Sequence, residues 1–307
     1  MKSKTKKVFA VGFIAFAATA SPAVAQLRVV ATTPDLASVA REIGGNKVTV
    51  VALAKPTEDP HYVDAKPSHV VTLNRADALI EGGAELELGW LPPLLENSRN
   101  SKISAGAPGR IVASDGIKML EIPTSFDRSK GDVHSLGNPH FMVDPVNVKI
   151  VARNIAGHFS QIDPKNAATY NGNLGRFNTA LDAKYADWQK QLAPYRGAKI
   201  VTYHKDFVYF AGRFGLNIVD ELEPKPGIAP SPAHLAQVIG KMRSSNAKLV
   251  LVQPYQNRKT AETVARQANA VVIDTPEQPG AAPNTATYFD MMDNLVRTLA
   301  NGFRTQK

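Results

Sequence analysis

Valine-rich, strand-like runs alternate along most of the chain with segments in which apolar residues recur every three or four positions. This alternation predicts short β-strands and amphipathic helices in turn. The predicted strands cover residues 27–31, 47–54, 78–81, 199–202, 216–220, 248–252 and 270–273. Strands separated by helices are typical of βαβ units, so the sequence predicts an α/β fold with mainly parallel sheets flanked by helices.

Two helices with almost no break between them are predicted in the middle of the chain. Asp144 and Pro145 start the first, and Asp163 and Pro164 start the second, which runs to Leu192; proline after an aspartate cap is a start signal. The apolar stripe of the second helix comprises Leu174, Phe177, Leu181, Tyr185, Trp188 and Leu192. About 29 residues give a rod of roughly 40 Å. A core helix of one domain is possible, but a long spine helix joining two lobes fits this length better.

These patterns divide the chain into four parts: a signal peptide at 1–25, an N-terminal α/β lobe at 26–143, linking spine helices at 144–195, and a C-terminal α/β lobe at 196–307. The first part has a basic start, an apolar run and an ending in small residues, and it is predicted to be cleaved after Ala25. The chain is therefore predicted to be secreted into the periplasm of a bacterium with two membranes.

Composition narrows the classes of function. The net charge of +9 includes four lysines of the signal peptide, and without them 32 basic residues face 27 acidic ones, which leaves +5. The positive charges are scattered, so nucleic-acid binding has little support. The chain has no cysteine, which excludes disulfides, thiolate metal ligands and a lipid anchor on cysteine.

Three histidines occur in similar settings. His61 lies on a proline-stiffened loop just after the strand predicted at 47–54, His140 also follows a proline, and His204 closes the strand at 199–202. Ligands bind at the carboxyl ends of parallel strands. We therefore expect the two lobes to present these imidazoles to one cleft.

Three neutral imidazoles without thiolates suit zinc best, whereas manganese prefers more carboxylate ligands. Asp144 either caps the following helix or holds the second nitrogen of the His140 ring, and capping is the safer interpretation. His134, on a long polar loop predicted at 121–138, is either an ordinary loop residue or a transient metal-collecting one. The remaining histidines are interpreted as ordinary solvated positions: His69, His158 and His234.

Several motifs carry a family resemblance. Asp59-Pro60-His61-Tyr62, Asn138-Pro139-His140 and Tyr203-His204-Lys205-Asp206-Phe207 occur in order, followed by Glu223-Pro224 and Tyr288-Phe289-Asp290-Met291-Met292. In order and spacing they resemble the zinc/manganese solute-binding proteins of ABC transporters, the cluster A-I family. The resemblance covers essentially the whole chain after the signal peptide, and it is specific only in combination.

The resemblance implies two lobes bridged by a rigid helix, a metal buried between them, and delivery of that metal to a membrane permease. It would make His61, His140 and His204 the metal ligands. Histidine in place of glutamate at the third position favours zinc as the cargo over manganese.

Two departures from the family pattern concern the rest of the site. Ala286 stands where the family often has a ligating aspartate, so the fourth donor is open: Asp274 is the first choice, with Glu277 or water as alternatives. The long histidine-rich loop of many zinc-binding members is also missing, and only His134 remains there. A periplasmic metallochaperone that supplies the metal is a hypothesis drawn from this absence.

The leading prediction is a monomeric periplasmic receptor, not an enzyme, that binds Zn²⁺ and delivers it to an inner-membrane ABC importer. A secreted zinc-dependent hydrolase is the alternative, because catalytic zinc also uses three protein ligands and an open position. Against it, the sequence has no His-Glu-x-x-His motif and no acidic residue placed as a general base beside the histidines. A surface adhesin has no anchor or repeat to support it.

Overall fold

Two four-stranded parallel sheets form the framework of the protein, in a computed structural model that describes residues 26–123, 134–225 and 227–306. The strand order is β2-β1-β3-β4 in the first sheet and β6-β5-β7-β8 in the second. The strands are β1 (Leu27–Ala31), β2 (Val48–Ala52), β3 (Ala78–Glu81), β4 (Arg110–Val112), β5 (Lys199–Thr202), β6 (Asn217–Glu221), β7 (Leu249–Val252) and β8 (Val271–Asp274). Each sheet thus belongs to one lobe, which confirms the predicted architecture.

Helices connect and cover the strands. They are α1 (Pro34–Gly44), α2 (Pro67–Asn74), α3 (Leu91–Ser98), α4 (Pro145–Ile162), α5 (Ala167–Leu192), α6 (Val208–Phe214), α7 (Pro232–Ser245), α8 (Arg258–Ala268) and α9 (Tyr288–Thr305). Across the described ranges, none of these helices combines the length and the apolar character that a membrane span requires. The predicted signal peptide lies outside the described residues.

Three details of the secondary structure differ from the prediction: one strand was missed, and two helices begin later than the sequence pattern indicates. Strand β4 was not predicted, because three residues are too few to establish a periodic pattern. Helix α3 begins at Leu91, after a turn in which Ala84 and Glu85 both have positive φ, whereas the apolar pattern alone predicts a helix around residues 86–96. The spine helix begins at Ala167 because Pro164–Asn166 forms a 3₁₀ turn. Most of the predicted loop at 121–138 lies outside the described residues.

One hydrophobic core continues from the first sheet to the second. It includes Ala31 of β1 and Ile200 of β5, and both are fully buried. Between them lie Phe177 and Trp188 of α5 and Leu299 of α9. Helix α5 spans 26 residues, or about 39 Å. The apolar stripe predicted for this helix therefore faces a core that both lobes share.

Helix α9 forms a second connection between the lobes. The Trp188 indole N–H donates to the Asp293 carboxylate at 2.7 Å, which ties α5 to α9. At the start of α9 the Tyr288 backbone N–H donates to the Ser38 hydroxyl of α1 at 2.9 Å, and the Tyr288 hydroxyl donates to the Met142 carbonyl at 3.0 Å. The C-terminal helix therefore also contacts the N-terminal lobe.

Replacing Trp188 by alanine is expected to destabilise the whole molecule. The side chain is fully buried, and removing a buried tryptophan costs about 3–5 kcal/mol because it leaves a cavity in the core. The free energy of unfolding measured in urea should fall by this amount. Lys190→Ala, on the exposed face of the same helix, is the matched control and should change stability little. Equal stability of the two variants would contradict a core shared through α5.

Candidate metal centre

His61, His140 and His204 converge on one point between the lobes. Their ring centroids lie 5.0 Å apart for His61 and His140, 5.4 Å for His61 and His204, and 5.1 Å for His140 and His204. Each ring offers a nitrogen that lies within 4.8 Å of the corresponding nitrogens of the other two. Among the described His, Asp and Glu residues this is the one group of three or more with that geometry.

Backbone constraints place His61 and His140. The loop after β2 is held by Trp90, whose indole N–H donates to the Pro60 carbonyl at 2.9 Å. His140 follows a turn that Gly137 closes with φ +104°, a conformation that L side chains rarely adopt. A Cβ at Gly137 would also lie 2.8 Å from the Leu120 carbonyl oxygen. Glycine is thus required for the turn that leads to the buried histidine.

Two carboxylates orient two of the rings. Asp59 Oδ1 accepts from the His61 backbone N–H and contacts His61 Nδ1, both at 2.9 Å. Glu223 Oε2 contacts His204 Nδ1 at 2.8 Å. Because each carboxylate holds Nδ1–H, each ring presents Nε2 towards the cluster, as is usual for histidine ligands of metals. Asp59 and Glu223 were not predicted in these roles, although both lie in the motifs that carry the family resemblance.

His140 is the most enclosed member of the cluster. Its Nε2 is buried and has no hydrogen-bond partner among the described residues, and an unpaired buried nitrogen is costly unless a ligand completes it. Burial lowers the pKa of His140 well below its usual range, and the neighbouring His61 and His204 lower it further. The ring is therefore neutral at physiological pH, which is the form that binds a metal.

His204 has the opposite electrostatic balance. Burial lowers its pKa, but the hydrogen bond with Glu223 and the nearby charges of Asp206, Glu223 and Asp59 outweigh burial. The net result is a pKa above the ordinary value for histidine. In the metal-free protein, protons therefore compete with a cation for His204 up to a higher pH than they would for an unperturbed histidine.

His134 lies against the cluster. Its Nε2 is 3.2 Å from Nε2 of His61, and the two rings stack with centroids 5.2 Å apart. Since Asp59 holds the Nδ1–H of His61, the His61 Nε2 is the acceptor and His134 Nε2–H the donor. His134 thus contacts the same lone pair of His61 that a metal ion would use. His134 is therefore in contact with the cluster, and its role in collecting metal stays a prediction.

The structure does not bring Asp274 to the cluster, contrary to the expectation that it is the fourth ligand. Asp274 ends β8, pairs with Arg258, and has a side chain that is 66% exposed. It is not part of the group of converging ligand atoms. The sequence could not reveal this, because the partner Arg258 lies on α8 and meets Asp274 only in the folded sheet.

Glu277, the second choice, lies beside the site but outside the histidine group. It lines a cavity of about 30 Å³ together with His140, Gln253 and Tyr255. Burial raises the pKa of Glu277 well above its usual range, and the charges of Asp206 and Asp35 add to this effect. Burial thus disfavours the ionised form of Glu277, which is the form that binds a metal. The cavity is large enough for one water molecule.

Asp144 caps a helix, as the safer interpretation predicted. One of its oxygens accepts from the Val146 backbone N–H at 2.9 Å at the start of α4. Both oxygens also accept from the Arg213 guanidinium, at 2.8 and 2.9 Å. Through these contacts Asp144 joins α4 to α6. It does not act as the carboxylate that orients the His140 ring.

Two α/β lobes with an enclosed cluster of three imidazoles between them define a two-lobed metal-binding protein. The family described as "Zinc-uptake complex component A periplasmic" (ZnuA) matches residues 29–302. The chain belongs to this family. It is therefore a metal-binding component of an ABC importer and not an enzyme.

Similar proteins and solved structures agree with this assignment. The chain is 25% identical over 287 residues to the metal ABC transporter substrate-binding lipoprotein SloC of Streptococcus mutans, covering 90% of both chains. It is 25% identical over 285 residues to the manganese ABC transporter substrate-binding lipoprotein PsaA of Streptococcus pneumoniae, covering 90% of this chain and 89% of PsaA. These relatives are substrate-binding proteins, so the hydrolase alternative has no support.

The solved structures concern the fold. A crystal structure of ZnuA superposes with a TM-score of 0.76 at 24% identity, covering 90% of this chain and 99% of that one. A Mn-bound periplasmic metal-binding protein from Candidatus Liberibacter asiaticus superposes with a TM-score of 0.75 at 20% identity, covering 92% and 100%. Both confirm the two-lobed architecture.

Replacing Glu223 by glutamine is expected to change the pH dependence of metal binding in two ways. Loss of the carboxylate lowers the pKa of His204, so proton competition should end at a lower pH than in the unmodified protein. At about pH 8 the affinity should fall by about 10–100-fold, because the His204 ring becomes less basic and less well oriented. Competition titrations from pH 5.5 to 8.5 measure both effects.

The matched control is Glu262→Gln, which removes an exposed carboxylate paired with Arg258. Its pH profile should coincide with that of the unmodified protein. A Glu223→Gln profile that also coincides would show that Glu223 does not act on the metal centre.

Proposed function

We propose that this protein captures Zn²⁺ with His61, His140 and His204 and delivers it to the membrane permease of an ABC importer. The observation that carries the proposal is the convergence of three imidazole nitrogens within 4.8 Å, two of them oriented by carboxylates. Such a set of imidazole nitrogen donors matches the ligands that zinc uses at about 2.0–2.1 Å.

The preference for zinc over manganese follows from the donors. Manganese favours sites rich in carboxylate and water oxygen, whereas imidazole suits zinc. The two carboxylates that touch the histidines, Asp59 and Glu223, are engaged with the ring nitrogens. The relative PsaA is named as a manganese ABC transporter substrate-binding lipoprotein, so similarity alone does not identify the metal. The proposal of zinc therefore rests on the donor atoms of this chain.

His134 is the proposed fourth donor. Its contact with His61 Nε2 must be replaced when a metal takes that lone pair. In the tautomer with the proton on Nδ1, the freed His134 Nε2 can itself bind the metal. This would complete the four-coordinate geometry that zinc prefers. A water molecule is the alternative fourth donor.

The location and the partners are part of the same proposal. Cleavage of the predicted signal peptide would release the chain into the periplasm, where it would act as a monomer. Its partner would be the permease of an importer in the inner membrane. Supply of the metal by a periplasmic metallochaperone stays a hypothesis.

The proposal predicts one tightly bound Zn²⁺ per chain and a preference for zinc over manganese of at least about tenfold in competition. His61→Ala should abolish most of this affinity because it removes one of three ligands, while the circular dichroism spectrum stays that of a folded protein. Asp274→Ala should bind zinc like the unmodified chain, because Asp274 is exposed and paired with Arg258. Isothermal titration with a competing chelator measures the metal affinity of the unmodified chain and of both variants.

Two results would contradict the proposal. Stoichiometric manganese bound more tightly than zinc would overturn the proposed cargo. Zinc bound equally well by the unmodified chain and by His61→Ala would show that the histidine cluster is not the binding site.

A further inference from the structure

Asn138 is a buried residue next to the metal centre, and its side chain connects three segments of the chain. Its side chain makes three hydrogen bonds: Oδ1 accepts from the His140 backbone N–H at 2.9 Å, and Nδ2 donates to the Lys205 carbonyl at 2.8 Å and to Glu121 Oε2 at 2.9 Å. The residue is 6% exposed. One acceptor and both N–H donors of the amide are used, so its orientation is fixed.

These bonds join the main chain beside two proposed ligands. His140 is two residues after Asn138, and Lys205 directly follows His204 at the end of β5. The bond to His140 is local and is typical of an asparagine turn. The bond to Lys205 crosses from the segment before α4 to the second lobe. The main-chain oxygen of Asn138 adds a second crossing, because it accepts from the Tyr209 hydroxyl at 2.8 Å.

Glu121 completes this connection from a third segment. Its Oε1 accepts from Lys205 Nζ at 2.9 Å, while its other oxygen accepts from Asn138. Glu121 itself has a positive φ of 53°, which non-glycine residues seldom adopt without compensating contacts. The carboxylate therefore holds the Asn138 amide and the Lys205 side chain together.

We propose that Asn138 is a positioning residue that ties His140 to His204 and thereby slows release of the metal. The inference rests on the proposed function. A binding site needs its ligands held within about 0.5 Å of their productive positions, and the Asn138 side chain bonds the segment that carries His140 to the residue that follows His204. Breaking the cross-lobe bonds should let the His140–His204 distance vary and the metal leave faster.

Asn138→Asp separates the cross-lobe role from the local one. A carboxylate can still accept from the His140 N–H, but it cannot donate to the Lys205 carbonyl and it repels Glu121. The rate of zinc transfer to an excess of chelator, measured by stopped flow, should rise about tenfold, the size expected for one lost buried hydrogen bond. The stoichiometry should stay at one zinc per chain.

A matched control and a rescue variant sharpen the test. Asn171→Asp makes the same chemical change on the exposed face of α5, where the amide donates to the Ala167 carbonyl of the same helix, and should leave the release rate unchanged. Adding Glu121→Gln to Asn138→Asp supplies a donor opposite the new carboxylate. This pair should recover part of the slow release.

A second readout excludes a purely structural role. With Co²⁺ as a spectroscopic substitute for zinc, Asn138→Asp should alter the d–d absorption bands, which report ligand geometry, whereas general destabilisation would lower only the melting temperature. If Asn138→Asp does not fold, Glu121→Ala tests the positioning role instead. Glu121 is exposed, so this variant is expected to fold. This variant should release zinc about three to ten times faster.

The outcomes separate the inference from the proposed function. If the unmodified chain binds no zinc, both are wrong. If it binds zinc and Asn138→Asp and Glu121→Ala release it at the unmodified rate, only the positioning role is wrong. A lower melting temperature with unchanged release and an unchanged Co²⁺ spectrum would also overturn the positioning role.

Discussion

The continuous hydrophobic core between the two sheets is the constraint on which the metal centre depends. Buried residues of β1, β5, α5 and α9 belong to one cluster, so the lobes are packed against a shared set of side chains. His61 and His204 come from different lobes, and their rings are nevertheless 5.4 Å apart. A loosely hinged pair of lobes would not hold this distance. The shared core therefore sets the geometry in which a metal can be enclosed.

Within that geometry, electrostatics determines how protons and a metal cation compete for the three imidazoles. Three imidazoles this close cannot all be protonated, because like charges in a buried site repel strongly. The low pKa of His140 is the clearest expression of this effect. Glu223 counteracts it at His204 by accepting from Nδ1–H, which raises the pKa of that ring. The site is thus poised to replace protons with a doubly charged cation.

The buried acidic groups behind the cluster belong to the same balance. Burial raises the pKa of Asp206 to about 7, although His204 and a hydrogen bond from Gln256 act in the opposite direction. Burial also raises the pKa of Glu277 well above its usual range. Burial therefore disfavours the charged form of both carboxyl groups when the cleft holds no cation.

Much of the fold could be predicted because its signals are local. The strand and helix alternation, the stripe on α5 and the proline-flanked histidines are visible within short windows of sequence. Strand β4 could not be predicted, since three residues carry no period. The surroundings of the histidine cluster could not be predicted either, because they depend on long-range packing: Asp274 pairs with Arg258, whereas His134 reaches His61 from 73 positions away.

Extended X-ray absorption fine structure of the zinc-loaded protein tests the central claim most directly, because it counts the atoms around the metal. We predict four nitrogen or oxygen neighbours at about 2.0–2.1 Å with the multiple-scattering signature of at least three imidazoles. Four imidazoles would identify His134 as the fourth donor, and three would leave that position to water. A shell of six oxygen-rich neighbours with one imidazole or none would contradict a metal centre built on His61, His140 and His204.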